Sequence, residues 1–181
     1  MKKQLAIILT LAAVAVSANA QGFFNFANGA SGVNAPVKES DGTTLLSGGG
    51  AYKADYYFGA AGISDPTALS SGGQAVSFSG NGIFLGGTQI ISGQTGTVTL
   101  QVRAWRASDG ATWAAAAGVN GAHVGQGNLI QVALGTGAAT VPNMVGLQAF
   151  NLGVVATGPE PATIALGLMG ASALFIRRRK A

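Results

Sequence analysis

His123, in the stretch NGAHVGQG, is the only imidazole in the chain. It is therefore the one side chain whose ordinary titration range suits proton transfer near neutral pH. A hydrolytic triad would also need an activated nucleophile and an orienting acid. Cysteine is absent, and nothing near His123 reads as a nucleophile elbow. A hydrolase built on this chain would have to use His123 with Asp109. One histidine without a thiolate is also a poor transition-metal site. Paired carboxylates are the alternative, as in glycoside hydrolysis. Yet Asp41 and Asp109 precede glycine and Asp65 precedes Pro66, positions that turns explain. No spaced acidic motif suggests calcium. The run Gly48-Gly49-Gly50 lacks the lysine and helix of a phosphate loop. His123 reads as a solvated loop residue. The reading assigns no catalytic residue, no metal ligand and no cofactor, and expects a non-enzymatic protein.

The aromatic side chains offer a different chemistry, the stacking of sugar rings. Tyr56, Tyr57, Trp105 and Trp113 could form such a platform. Trp105 shares the face of its strand with Arg103, which permits exposure, so it is the candidate glycan contact. The competing reading is that these large side chains fill the core.

The elements that would position these residues are strands joined by glycine-rich turns. TVTLQVRAW alternates cleanly, with Val98, Leu100, Val102 and Ala104 on one face. Thr97, Thr99, Gln101, Arg103 and Trp105 lie on the other. Further strands are expected in GFFNFAN, AYKADYYFG, AVSFS (75–79) and NLIQVAL (128–134). Asn81-Gly82, Asp109-Gly110, Asp41-Gly42 and Asn120-Gly121 are hairpin-type turn signals. ATWAAAAG predicts a short helix ended by Gly118. The turns have no fixed period, which argues against a solenoid. The fold class expected is mostly β, an antiparallel β-sandwich or compact barrel, flanked by a signal peptide and a C-terminal transmembrane helix.

The pI near 9.8 suggests nucleic-acid binding, but the placement of the charges argues against it. Of the ten Lys and Arg, Lys2, Lys3, Arg177, Arg178, Arg179 and Lys180 lie at the two ends. Between Gln21 and Gly158 stand Lys38, Lys53, Arg103 and Arg106 against Glu39, Asp41, Asp55, Asp65 and Asp109, four minus five, a body charge of −1. A phosphate-binding face needs clustered cations, so no nucleic-acid partner is expected.

The ends read as targeting segments. Lys2 and Lys3, an apolar run from Leu5 to Val16 and the small residues Ala18 and Ala20 make a three-part signal peptide over residues 1–20. Signal peptidase is expected to cut after Ala20. Residues 21–157 form the exported glycine-rich β domain. In residues 158–181, Pro159-Glu160-Pro161 precedes the uncharged run 162–176 and the basic cluster Arg177 to Lys180. Fifteen residues of helix cover roughly 22 Å at ~1.5 Å each, a marginal span of a ~30 Å hydrocarbon core. Arg177 can snorkel to lengthen it. The basic cluster sets orientation and holds the tail in the cytoplasm, with the body outside. Pro159 and Pro161 fix φ, and Glu160 before proline is held away from α geometry. The tripeptide is thus expected to be extended and singly charged at the outer membrane surface.

Those three parts in order resemble the PEP-CTERM sorting signal. The resemblance implies a Gram-negative exported protein whose Pro159, Glu160 and Pro161 are read by an exosortase, a membrane cysteine peptidase that removes the tail. It also implies transient anchoring with the body on the periplasmic side, then a cell-surface or extracellular location, often with exopolysaccharide in a biofilm matrix. FNFANG, VNAPV, DGTTLLSG, VRAWRASDGATWAAAAG and VGLQAFNL are similar to segments of a glycine-rich group of such proteins. That group implies a recurrent exported domain without a defined activity.

Overall fold

The computed structural model describes residues 21–156. The residues Ala18 and Ala20, the motif Pro159–Pro161, the span 162–176 and the tail Arg177, Arg178, Arg179 and Lys180 lie outside the described residues. The described chain is mostly β, and its dominant feature is a nine-stranded antiparallel sheet. The strands are β1 (Gln21–Ala27), β2 (Gly29–Ala30), β3 (Val33–Asn34), β4 (Val37–Lys38), β5 (Tyr52–Ala60), β6 (Ser70–Ser71) and β7 (Val76–Gly80). They continue with β8 (Ile83–Ser92), β9 (Thr97–Arg106), β10 (His123–Gln126), β11 (Ile130–Ala133), β12 (Phe150–Asn151) and β13 (Gly153–Val154). One short helix, α1 (Trp113–Ala117), lies between β9 and β10.

The sheet runs β1-β8-β7-β5-β9-β10-β13, with β6 also on β5 and β11 also on β9. Strand β9 is the hub. Tyr52 to Ala60 of β5 pair along one edge, from Arg106 down to Val98. The other edge is shared: β10 takes Arg103 to Trp105, and β11 takes Thr97 to Leu100. The chain leaving β11 then meets the first strand, where Phe23 and Gly135 exchange both backbone hydrogen bonds at 2.9 Å. The first strand of the order is thereby joined to the branch that β11 makes on β9.

The inner face of the sheet holds the core. Val98, Leu100, Val102 and Ala104 enter it as their alternation predicts, with Phe24, Phe26, Tyr56, Phe78 and Phe84. The rings meet edge-on or tilted: Phe24 and Tyr56 at 5.0 Å, Phe26 and Phe84 at 4.7 Å, Phe78 and Phe84 at 5.6 Å. Each buried phenylalanine contributes about 1.5–3 kcal/mol, and favourable ring pairs add about 0.5–1.5 kcal/mol. With no cysteine to cross-link the chain, this aromatic packing carries much of the stability.

All five expected strands form, as β1, β5, β7, β9 and β11, and so does the helix. Thr112 caps α1 by accepting from the Ala115 N–H at 3.2 Å, and Gly118 ends it. Asn81 and Gly82 both adopt positive φ, 52° and 68°, the geometry of a tight two-residue hairpin. They join β7 to β8. Strand β8 itself was hidden by its glycines: Gly86 and Gly87 interrupt the alternation. A Cβ on Gly86 would lie 2.7 Å from the Phe26 ring, so glycine lets the two strands approach. Two turn signals act differently from the expectation. Asp109 ends a 3-10 turn (Ala107–Asp109) that leads into α1, and Asn120-Gly121 joins α1 to β10. Neither makes a hairpin, because a helix intervenes.

Asn28, in the FNFANG segment, is fully buried and ties three segments together. Its Nδ2 donates to the Ala35 and Gly82 carbonyls, each at 2.8 Å, and its Oδ1 accepts from the Phe84 N–H at 2.7 Å. The side chain replaces backbone pairing where β1 ends beside the β7–β8 hairpin.

Candidate functional site

The second face of β9 carries Thr99, Gln101 and Arg103 beside Trp105, a pattern that permits exposure of the indole. The structure covers it. Thr99, Gln101, Arg103 and Trp105 are all buried: Thr99 donates to the Ala60 carbonyl and accepts from Gln131, Gln101 donates to the Gly127 carbonyl, and Arg103 to the Pro66 carbonyl of the 3-10 turn Pro66–Ala68. Asp65 starts that turn by accepting from Thr67 N–H at 2.8 Å, which lowers its pKa, the Thr67 hydroxyl contributing most. Trp105 is 1% exposed and donates its indole N–H to the Gly110 carbonyl at 2.8 Å. It is a core residue and cannot be the glycan contact. Tyr56 and Tyr57 are buried and Trp113 is half-buried. Among the described residues, no aromatic side chain is exposed.

In place of a platform there is a cation between rings. The Arg103 guanidinium lies 3.8 Å from the Tyr57 centroid and 4.5 Å from that of Trp113. Its Nη2 donates to the Pro66 carbonyl at 2.6 Å and its Nε to Gln101 Oε1 at 2.9 Å. Burial lowers its pKa, while Tyr57 and Asp55 oppose the shift. Asp55, opposite Arg103 in the ladder, accepts instead from Ser71 Oγ at 2.6 Å and from the Tyr56 and Gln74 N–H groups at 2.8 and 3.3 Å. Its carboxylate holds the 71–74 segment against β5. This is a latch that fixes the outer layer to the sheet.

The second polar cluster is the one with acid–base groups. His123 lies on β10, not in a loop, and its Nδ1 is buried without a hydrogen-bond partner. The nearest acid is Glu39, which follows β4; its Oε2 is 3.8 Å from Nδ1. Glu39 Oε1 accepts from the Tyr52 hydroxyl. Burial, then the Glu39 contact, pushes the Tyr52 phenol up to about 12. Asp109 is adjacent, accepting from Arg106 Nε at 2.9 and 3.1 Å and pairing with Arg106 Nη2 at 2.8 Å. It also accepts from the His123 backbone N–H at 2.7 Å. Burial opposes ionisation of Asp109, but the Arg106 and His123 hydrogen bonds outweigh it and lower its pKa.

This geometry brings His123 and Asp109 together but through the wrong atoms for a triad. Asp109 holds the main chain of His123, whereas catalysis requires an acid on the ring and a hydroxyl beyond it. Ser108 donates to Asp109 at 3.2 Å, not to the imidazole. No group of three His, Cys, Asp or Glu side chains positioned to hold a metal occurs among the described residues. Sequence reading found His123 and Asp109 but missed Glu39, Tyr52 and Arg106 as their neighbours. Glu39 is 84 positions from His123, and only strand pairing carries the two together.

No family model, curated protein or solved structure matches the chain.

Proposed function

We propose that this is an exported, non-enzymatic protein, sorted by an exosortase-like membrane peptidase to the cell surface or the extracellular polysaccharide matrix. The observation that carries this reading is the order of three features at the C-terminal end: Pro159-Glu160-Pro161, an uncharged run and four cations. The N-terminal signal sequence with Ala18 and Ala20 agrees with the same topology.

Among the described residues, Gln21 pairs with Ser92, and Val155 hydrogen-bonds with Ala122 and Gly121. Cuts after Ala20 and near Glu160 would leave each of these described pairs in place. The body between those cuts, as a sandwich or barrel, would mature intact. Its charge of −1 suits a hydrated matrix better than a phosphate polymer. In this scheme the signal peptidase and the sorting peptidase are the processing partners, membrane attachment is transient, and exopolysaccharide is the final surrounding.

Mass spectrometry of the protein from its own cells tests the proposal. The expected mature form starts at Gln21 and ends near Glu160. Recovery of intact Ala181 in the surface fraction would overturn peptidase sorting and leave a simple anchor. The glycan-binding alternative loses its named residue, since Trp105 is buried.

A further inference from the structure

The last described segment is stitched across two strands. Phe150 and Asn151 of β12 pair in parallel with Val37 and Lys38 of β4, and Leu152 N–H donates to the Lys38 carbonyl at 2.9 Å. Gly153 and Val154 of β13 then pair with Val124 and His123 of β10, and Val155 N–H donates to the Ala122 carbonyl at 2.8 Å. The strap 150–155 thus bridges β4 and β10. Glu39 follows β4, and His123 is on β10, so the two side chains that face each other at 3.8 Å span the strands the strap crosses.

We propose that His123 and Glu39 form a pH-dependent clasp that tightens this strap when the imidazole is protonated. The inference is independent of the sorting reading. Glu39, beyond β4, faces the imidazole; Tyr52 on β5 bonds the other oxygen of Glu39, and Asp109 on the 3-10 turn holds the His123 backbone N–H and pairs with Arg106 at the end of β9. Neither α1 nor β13 carries a titratable side chain. With neutral His123 and Tyr52, the cluster holds two carboxylates and one guanidinium, a charge of −1. Protonation brings it to zero and ensures an N–H on Nδ1, 3.8 Å from the Glu39 oxygen that Tyr52 does not use. The other oxygen already accepts from Tyr52, so the carboxylate is oriented in advance. Arg106 does not compete, because Asp109 holds its guanidinium by three contacts. Acidification joins β4 to β10 through side chains and so restrains the strap that pairs with both.

Amide hydrogen exchange on the full-length protein tests this at about pH 5 and about pH 8, either side of the range in which imidazoles change charge. Rates are corrected for the intrinsic chemical rate at each pH. Protection of Leu152 and Val155 should be about two- to fivefold greater at the acidic pH, the factor a partly exposed ion pair supplies. Glu39→Gln keeps an acceptor for Tyr52, and His123→Gln keeps the strand; each should abolish the difference. No pH difference in the wild type, or one that persists in both variants, overturns the clasp. If a variant fails to fold, imidazole nitrogen–proton spectra of the wild type decide instead. A slowly exchanging Nδ1 proton at acidic pH supports the clasp, and a freely exchanging one defeats it.

Discussion

Asn28 shows what one polar side chain does when water is excluded. Its three hydrogen bonds go to the Ala35 and Gly82 carbonyls and the Phe84 N–H, all in its buried surroundings, and its removal would leave the first and last of these without that partner. Asn28→Ala should therefore destabilise the fold by about 2–5 kcal/mol, measured by denaturant titration. Trp105→Ala should cost about 3–5 kcal/mol, as expected for a large core side chain. Glycan-affinity electrophoresis of the same variant should show the same mobility shift as wild type, because the indole is inside the protein. Asp41 contributes to acid behaviour. Its carboxyl is lowered from 3.8 to about 2 by the Thr44 hydroxyl and by the Thr43 and Thr44 N–H groups. A lowered folded-state pKa means that the unfolded chain binds the proton more readily. The stabilisation is then present above about pH 4 and is lost as pH falls towards 2. Stability curves between those limits should be steeper for wild type than for Asp41→Asn.

At the level of elements, the β7–β8 hairpin depends on its turn. Gly82 has a φ of 68°, and a Cβ there would collide with the Val37 backbone. Gly82→Ala should destabilise by more than about 1–2 kcal/mol and weaken hydrogen-exchange protection of β7 and β8 before that of β5 and β9. The latch over the second face of β9 is a separate element-level device. Arg103→Met keeps much of the length but removes the charge from between Tyr57 and Trp113. A loss of about 1–3 kcal/mol is expected, together with a near-ultraviolet circular dichroism change from Trp113. Equal spectra and stability would show that the stack contributes only packing. The clean alternation of 97–105 identified β9 as a strand and identified its core face. It left the exposure of the second face open, since polar residues ordinarily meet solvent but large aromatics fill cores. The core reading of Trp105 holds, with the indole 1% exposed and bonded to Gly110.

Over the whole molecule, the sheet order joins residues that are remote in sequence. Gln21 pairs with Ser92, Phe23 with Gly135, and Phe150 with Val37. Residues near both ends of the described chain thus pair with strands remote from them in sequence, inside the proposed cuts. A protein truncated to 21–156 should give a cooperative unfolding transition with the midpoint of the mature protein. A midpoint lowered by more than about 4 °C, the shift that about 1 kcal/mol produces in a domain of this size, would show that the flanking residues stabilise the fold.

The sequence by itself determined the β class, five strands, the capped helix and the Asn81-Gly82 turn. These depend on local rules: side chains alternate along a strand, Gly118 ends an alanine-rich helix, and an asparagine–glycine pair tolerates positive φ. The charge distribution likewise separated the body from its basic ends without reference to any fold. Only the tertiary structure decided which polar faces are covered, that Trp105 is interior, and that His123 faces Glu39. Those facts depend on long-range pairing through β9 and β10, and a side chain's solvent exposure is fixed by what packs over it rather than by its neighbours in the chain.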